Sequence, residues 1–279
     1  MKLSTVFLAE TLLAGVAIIA PVAATSYSLI KEYSGPTFFD DWTFFDHFDN
    51  LTNGDVVFVS ASEAQSSKLA FVDPSSNHAI IKVDNTSKVP FNQKRNTVRI
   101  TTNERYGLGS VWVADIFHIP YGVGRFVMWS QAPDWPIGGE IDTLEGVNLV
   151  TQNQMGLHTE TGCTIVNPSL LSTSKEGNPN CSFIASDNQG CIVTDTLPTS
   201  YGQGFAAAGG GVFVTEYAAS GISIWFMSRS QVSASLSGNT IDTSTFGTPS
   251  GNWPSSGCNV EQFFEAQNLI FDITLCGGK

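Results

Sequence analysis

Short β-prone runs, each closed off by a cluster of Gly, Pro, Asn, Asp or Ser, recur along most of the chain. They fall at 55–59, 79–83, 97–101, 110–116, 126–129, 140–145, 154–158, 212–217, 222–229 and 269–274. Runs of this length, rich in β-branched and aromatic residues and punctuated by turn formers, read as strands. The best hairpin joins 212–217 to 222–229 through Ala218, Ala219, Ser220 and Gly221. In its second arm Ile222, Ile224 and Phe226 share one face, assigned to the core, while Ser223, Trp225 and Met227 share the other. Helical signals are few; Asn259 is placed to cap a turn or two through 260–264. No internal repeat stands out. These features predict one all-β sandwich.

Charge narrows the partners. Against 13 Lys and Arg stand 25 Asp and Glu, for a formal charge of −12. Nucleic acid binding needs a positive footprint and is not expected, whereas a neutral polysaccharide is indifferent to that charge. Lys2, an apolar stretch at 11–20 and the small residues Val22, Ala23 and Ala24 form a secretory leader, 1–24, with cleavage expected after Ala24. The stretch is too short to span a membrane, and no second one follows. The expectation is a secreted, soluble, monomeric single domain over 25–279. Sequons at Asn50, Asn85 and Asn180 suit a glycosylated secreted protein.

The five cysteines, Cys163, Cys181, Cys191, Cys258 and Cys276, lack the spacing of a zinc or redox site. An oxidising compartment predicts two disulfides with one thiol left over, and spacing alone does not choose the pairs. Three of these cysteines lie in 162–200, read as a long polar loop ordered by covalent ties.

The chemistry concentrates at Glu140-Ile141-Asp142-Thr143-Leu144-Glu145. On a strand Glu140 and Asp142 point one way and Ile141 the other; strict alternation would then turn Glu145 away. A β-bulge at Thr143-Leu144 restores Glu145 to the face of the first two, and bulges beside active sites commonly re-aim side chains in this way. Paired carboxylates flanking a sugar are the apparatus of glycoside hydrolysis. The bland readings are solvated charges on an edge strand, or ligands of a structural cation. Upstream, Trp135 offers a flat face for a sugar ring, and glycines flank the run on both sides.

The run Gly138-Gly139-Glu140-Ile141-Asp142, with Glu145-Gly146-Val147-Asn148 after it, resembles the signature of glycoside hydrolase family 16, in particular its fungal laminarinase-like endo-β-1,3(4)-glucanases. The resemblance extends from about Tyr33 to Cys276 and takes in 97–100, 157–159, 200–202 and 271–272. It implies a concanavalin-like jelly roll whose concave sheet forms the substrate cleft. It implies Glu140 as nucleophile, Glu145 as general acid/base and Asp142 as the assisting group hydrogen-bonded to the nucleophile. Trp135, Trp129, His158 and Asn148 are the substrate-binding candidates. For His158 a structural role is an equal alternative, for Asn148 a turn, and Trp225 is read as core. No organic cofactor is expected and no metal is assigned to the site; a structural calcium ion is allowed by analogy, although no EF-hand-like run supports it.

Two departures from the family pattern are expected to bear on activity. The segment Gly124-Arg125-Phe126-Val127-Met128-Trp129 is one residue shorter than its counterpart, with Arg125 or Phe126 standing where a sugar contact is usual. The family also continues beyond Cys276 with another cysteine and a closing strand, which would leave this sheet without an edge partner. The function expected is a retaining endo-glucanase acting on β-1,3 or mixed β-1,3/1,4 glucans, secreted or cell-wall associated. The alternatives are a glucan transglycosylase and a catalytically impaired glucan-binding wall protein.

Overall fold

A strand with one apolar face must cover it, and here two antiparallel sheets cover each other. The computed structural model describes residues 26–122, 124–166 and 172–276; the expected leader lies outside them. In chain order the strands of the two sheets are β1 (Trp42–Phe44), β2 (Arg99–Thr102), β3 (Ser110–Ile116), β4 (Arg125–Gln131), β5 (Glu140–Val147) and β6 (Gln154–His158). They continue as β7 (Lys175–Glu176), β8 (Cys191–Thr194), β9 (Gly211–Ala218), β10 (Gly221–Ser228), β11 (Gly251–Pro254) and β12 (Asn268–Thr274). The larger sheet has eight strands in the order β7-β8-β6-β5-β4-β12-β2-β1, and the smaller has four in the order β11-β10-β9-β3. Shorter pairings, among them Ala70–Val72 with Ala79–Ile81, lie outside these sheets.

The inner faces interdigitate as alternation requires. Ile141 of β5, Met155 and Leu157 of β6 and Val193 of β8 meet Tyr217 of β9, Ile222 and Ile224 of β10 and Trp253 of β11. A second cluster joins Phe126, Leu144 and Ile273 of the larger sheet to Phe213 and Phe226 of the smaller. Ile222, Ile224 and Phe226 thus occupy the core face assigned to them. On the other face of β10, Trp225 and Met227 pack with Val212 and Val214 beneath Val232, Leu236 and Phe246. The Trp225 indole donates to the Gly247 carbonyl at 3.0 Å, which makes this tryptophan a packed side chain.

The structure corrects one segment. The stretch 162–200, read as a polar loop, contains β7 and β8, and β8 lines the core through Val193. Cys-Ile-Val-Thr is four residues in a Ser- and Asn-rich setting, too short a run for alternation to announce itself. The helix after Asn259 runs Val260–Phe263, and Asn259 makes no side-chain cap bond.

Two disulfides form, Cys163–Cys258 and Cys181–Cys191, and Cys276 is free and exposed. The first closes a sequence separation of 95 residues and the second one of 10. Loop-closure entropy grows with loop length, so the first constrains the unfolded chain more. Replacing Cys163 and Cys258 together by Ser is expected to lower the unfolding free energy by roughly 4 kcal/mol, and the Cys181/Cys191 pair by about 1–2 kcal/mol less than that. Urea unfolding of the two double variants checks the ranking.

Candidate functional site

The site is built on a defect in β5. Its ladder with β4 runs Gln131↔Glu140, Ser130↔Ile141 and Trp129↔Asp142, then jumps to Met128↔Leu144 and Val127↔Glu145. Thr143 is the residue without a partner in β4, a one-residue bulge. The bulge lets Ile141, Thr143 and Leu144 turn toward the other sheet, with the Thr143 hydroxyl 2.6 Å from that of Thr215 on β9. Glu140, Asp142 and Glu145 then share the outer face of the larger sheet, beside Val127, Trp129 and Gln131 of β4.

A bulge leaves backbone groups without ladder partners, and burial makes that costly. Asn153, fully buried just ahead of β6, answers both needs. Its Oδ1 accepts from the Glu145 N–H at 2.9 Å, and its Nδ2 donates to the Thr143 carbonyl at 3.0 Å. Its own N–H donates to the Ser200 hydroxyl at 2.9 Å. Two glycines complete the local shape. Gly139 has φ +72°, and a Cβ there would stand 2.3 Å from the Phe264 ring. A Cβ on Gly146 would stand 2.2 Å from the Tyr201 ring, whose hydroxyl donates to the Gly146 carbonyl at 3.2 Å. Glycine at these positions lets the packing reach the backbone on either side of the carboxylates.

The carboxylates are surrounded by cations. His158 lies opposite Glu140, and its Nε2 is 3.1 Å from Asp142 Oδ2. Burial alone would lower the His158 pKa, but the hydrogen bond to Asp142 and the charges of Asp142, Glu140 and Glu145 push it up to about 9. The neighbouring carboxylates thus favour the imidazolium form of the ring. Burial, with Asp142 next, pushes the Glu140 pKa up; His158 and Arg125 oppose the shift. Arg125 of β4 donates from Nη2 to Glu145 Oε1 at 2.5 Å, and Gln154 donates from Nε2 to Glu145 Oε2 at 3.3 Å. Burial works against the Arg125 charge, and the carboxylates of Glu145, Asp142 and Glu140 more than offset it.

Beside them, Trp129 stands opposite Ile270 of β12, and Val127 opposite Asp272. Arg99 holds its guanidinium 4.7 Å from the Trp129 ring centroid and donates to Asp272 Oδ2 at 3.2 Å. Burial pushes the Asp272 carboxyl up to about 6 against the pull of Arg99. Arg99 Nε and Asp272 Oδ1 are buried without hydrogen-bond partners.

The remaining sequence candidates take different places. Trp129 belongs to the carboxylate face, with the Arg99 cation over its ring and its Nε1 donating to Gln131 at 3.2 Å. Trp135 sits in the loop before β5, edge-on to Phe183 at 5.2 Å, with its Nε1 buried and unpartnered. Asn148 forms a left-handed turn, φ 57°; its N–H donates to the Gly124 carbonyl and its own carbonyl accepts from the Gly122 N–H. Of Arg125 and Phe126, the first reaches the carboxylates and the second enters the core. Sequence reading missed Asn153 and Gln154 entirely. Nothing in Gln152-Asn153-Gln154 distinguishes them from turn residues; only the bulge gives Asn153 its task.

Glu140, Asp142 and His158 place potential ligand atoms within 4.8 Å of one another, the one such group among the described residues. Within this trio Asp142 and His158 are already paired at 3.1 Å. It lies on the outer face of the larger sheet.

A family model for the XgeA-like catalytic domain of glycoside hydrolase family 16 matches residues 42–279. A probable endo-1,3(4)-beta-glucanase of Neosartorya fischeri is 39% identical over 277 residues, covering 97% of this chain and 41% of its own length. Across other curated fungal relatives the chain spans from 37% to 60% of their length. Laminarinase 16A of Phanerochaete chrysosporium, solved with beta-glucans in donor and acceptor sites, superposes with a TM-score of 0.83 at 32% identity, covering 90% of this chain and 85% of that one. An elongating family 16 beta-1,3-glucosyltransferase superposes with a TM-score of 0.83 at 35% identity, covering 90% and 83%. The fold is thus the laminarinase jelly roll.

Two outcomes follow from this geometry. Asn153→Ala removes two bonds at the bulge and is expected to cost about 2–4 kcal/mol in urea unfolding. The second concerns pH. The folded pKa of His158 lies above its unfolded value of 6.5, so its pairing contributes fully below pH 6.5 and is lost as pH rises through about 9. The stability gap between the native protein and His158→Asn should shrink between pH 6 and pH 10, on the order of 2–3 kcal/mol, as followed by denaturant titration.

Proposed function

We infer function from the premise that this chain belongs to glycoside hydrolase family 16, and propose that it is a secreted, endo-acting, retaining β-glucanase. Its substrate class is β-1,3 or mixed β-1,3/1,4 glucan. The observation that carries the reading is the single-residue bulge that aligns Glu140, Asp142 and Glu145 on one face of β5. In a retaining glycosidase one carboxylate attacks the anomeric carbon while a second carboxyl protonates the departing oxygen, then takes a proton from the incoming water. Glu140 is the nucleophile and Glu145 the acid/base. Asp142, between them in sequence, is bonded to His158 rather than to Glu140 and keeps that cation beside the nucleophile. Burial and Asp142 raise the Glu140 pKa, and the positive charges of His158 and Arg125 work against that rise, toward the ionised form that attack requires. No organic cofactor enters this scheme.

Secretion accords with the leader, the two disulfides and the sequons. Asn50 and Asn85 are exposed and are the proposed glycosylation positions. Asn180 is half-buried, beside a disulfide cysteine, with its side chain accepting from the Ser182 N–H at 2.9 Å. Among the described residues no helix is long and apolar enough to cross a membrane.

A second reading, glycosyl transfer to a sugar acceptor, is favoured by the 35% identity to a neighbour described as an elongating glucosyltransferase. It uses the same carboxylates and differs only in the acceptor. Product chains longer than the substrate would identify it. A wall protein that only binds glucan is disfavoured, because the buried carboxylates are costly to keep without a reaction to serve.

The test is reducing-end release from laminarin, lichenan and carboxymethylcellulose by the native protein, Glu140→Ala and Glu145→Ala. Release from laminarin or lichenan is expected to fall at least about a hundredfold in each variant while thermal unfolding remains cooperative. Undiminished turnover in either variant removes the assignment.

A further inference from the structure

Glu145 is held at both oxygens. Oε1 accepts from Arg125 Nη2, while Oε2 accepts from Gln154 at 3.3 Å, the looser of the two contacts. The Glu145 side chain is 8% exposed and that of Arg125 30%. The charged groups facing Glu145 are Glu140 and Asp142 from its own strand, His158 from β6 and Arg125 from β4. His158 is spent on Asp142, and Arg99, the nearby cation toward β2, on Asp272. Arg125 is therefore the cation in direct contact with Glu145, and its Nε remains buried without a partner.

This arrangement is unequal toward the two duties of an acid/base. A guanidinium bond to a carboxylate is strong only while the carboxylate is charged. The first half of a retaining reaction needs Glu145 to carry a proton, and the second half needs it to accept one. A guanidinium held against Oε1 supports the second duty and leaves the loosely held Oε2 as the oxygen that receives the proton.

We propose that Arg125 is a positioning residue that holds Glu145 as the anionic, proton-accepting base for breakdown of the glycosyl-enzyme intermediate. The inference rests on the reading of Glu145 as acid/base given above. In the step it serves, a water oxygen bonds to the anomeric carbon, and the bond from that carbon to Glu140 breaks with its electron pair returning to the Glu140 carboxylate. The water's proton passes to Glu145 Oε2. A sugar hydroxyl in place of water follows the same course and yields a lengthened glucan.

The test uses 2,4-dinitrophenyl β-laminaribioside, whose leaving group departs without a proton, so that the second half limits turnover. In Arg125→Met, kcat is expected to fall about tenfold or more, while kcat/KM, which reports the first half, stays within about threefold. Azide attacks the anomeric carbon without giving up a proton and returns the same electron pair to Glu140. It should therefore restore kcat and yield the β-glycosyl azide. Arg125→Lys keeps a cation and should retain most of the native kcat. Equal falls in kcat and kcat/KM, an unchanged kcat, or failure of azide to restore Arg125→Met would overturn the proposal. Glu145→Ala is run in parallel. If azide rescues it but not Arg125→Met, the role of Arg125 alone fails; if azide does not rescue it, the acid/base reading of Glu145 fails and this inference with it.

Discussion

The clamp that Asn153 places on the bulge of β5 is the constraint on which the rest of the site depends. Thr143 and Leu144 both face the core, which a regular strand forbids, and the cost falls on the backbone around them. One buried amide satisfies a donor and an acceptor there at once. Were the same residues in strict alternation, without the bulge, Glu145 would face the apolar cluster of Phe126, Phe213 and Phe226. The same geometry that gives the sheet its core thus gives the outer face its third carboxylate. Packing and chemistry are settled by a single irregularity in one ladder.

Around that irregularity the charges are arranged in pairs. Asp142 is tied to His158, Glu145 to Arg125, and Asp272 to Arg99. Glu140 is the carboxylate of β5 without a direct cation bond; burial and Asp142 raise its pKa, and His158 and Arg125 oppose that only through space. The outer face therefore pairs Asp142, Glu145 and Asp272 each with a cation and leaves Glu140 without a direct one.

Much of this was legible in the amino-acid order, for reasons that differ by residue. The spacing Glu140, Asp142, Glu145 demanded a bulge if all three acids were to work together, because side-chain alternation is a rigid rule. The alternation of Ile222, Ile224 and Phe226 exposed the core in the same way. What escaped was long-range or disguised. Asn153 acquires its role only from the bulge, and β8 hides in a polar segment because four residues are too few to show a period. The bond from Arg125 to Glu145 joins neighbouring strands whose register depends on the bulge itself. Strand pairing between distant segments cannot be read from local propensity.

The place of β12 in the larger sheet has a consequence for how the molecule comes into being. Residues 268–274 pair with β4 on one side and with β2 on the other, so the interior of the sheet waits for a segment far along the chain from the strands it joins. Contacts between segments so far apart in sequence slow folding, because loop entropy must be overcome before pairing returns anything. A nascent chain emerging from the ribosome carries Glu140 and Glu145 long before it has a surface to hold them.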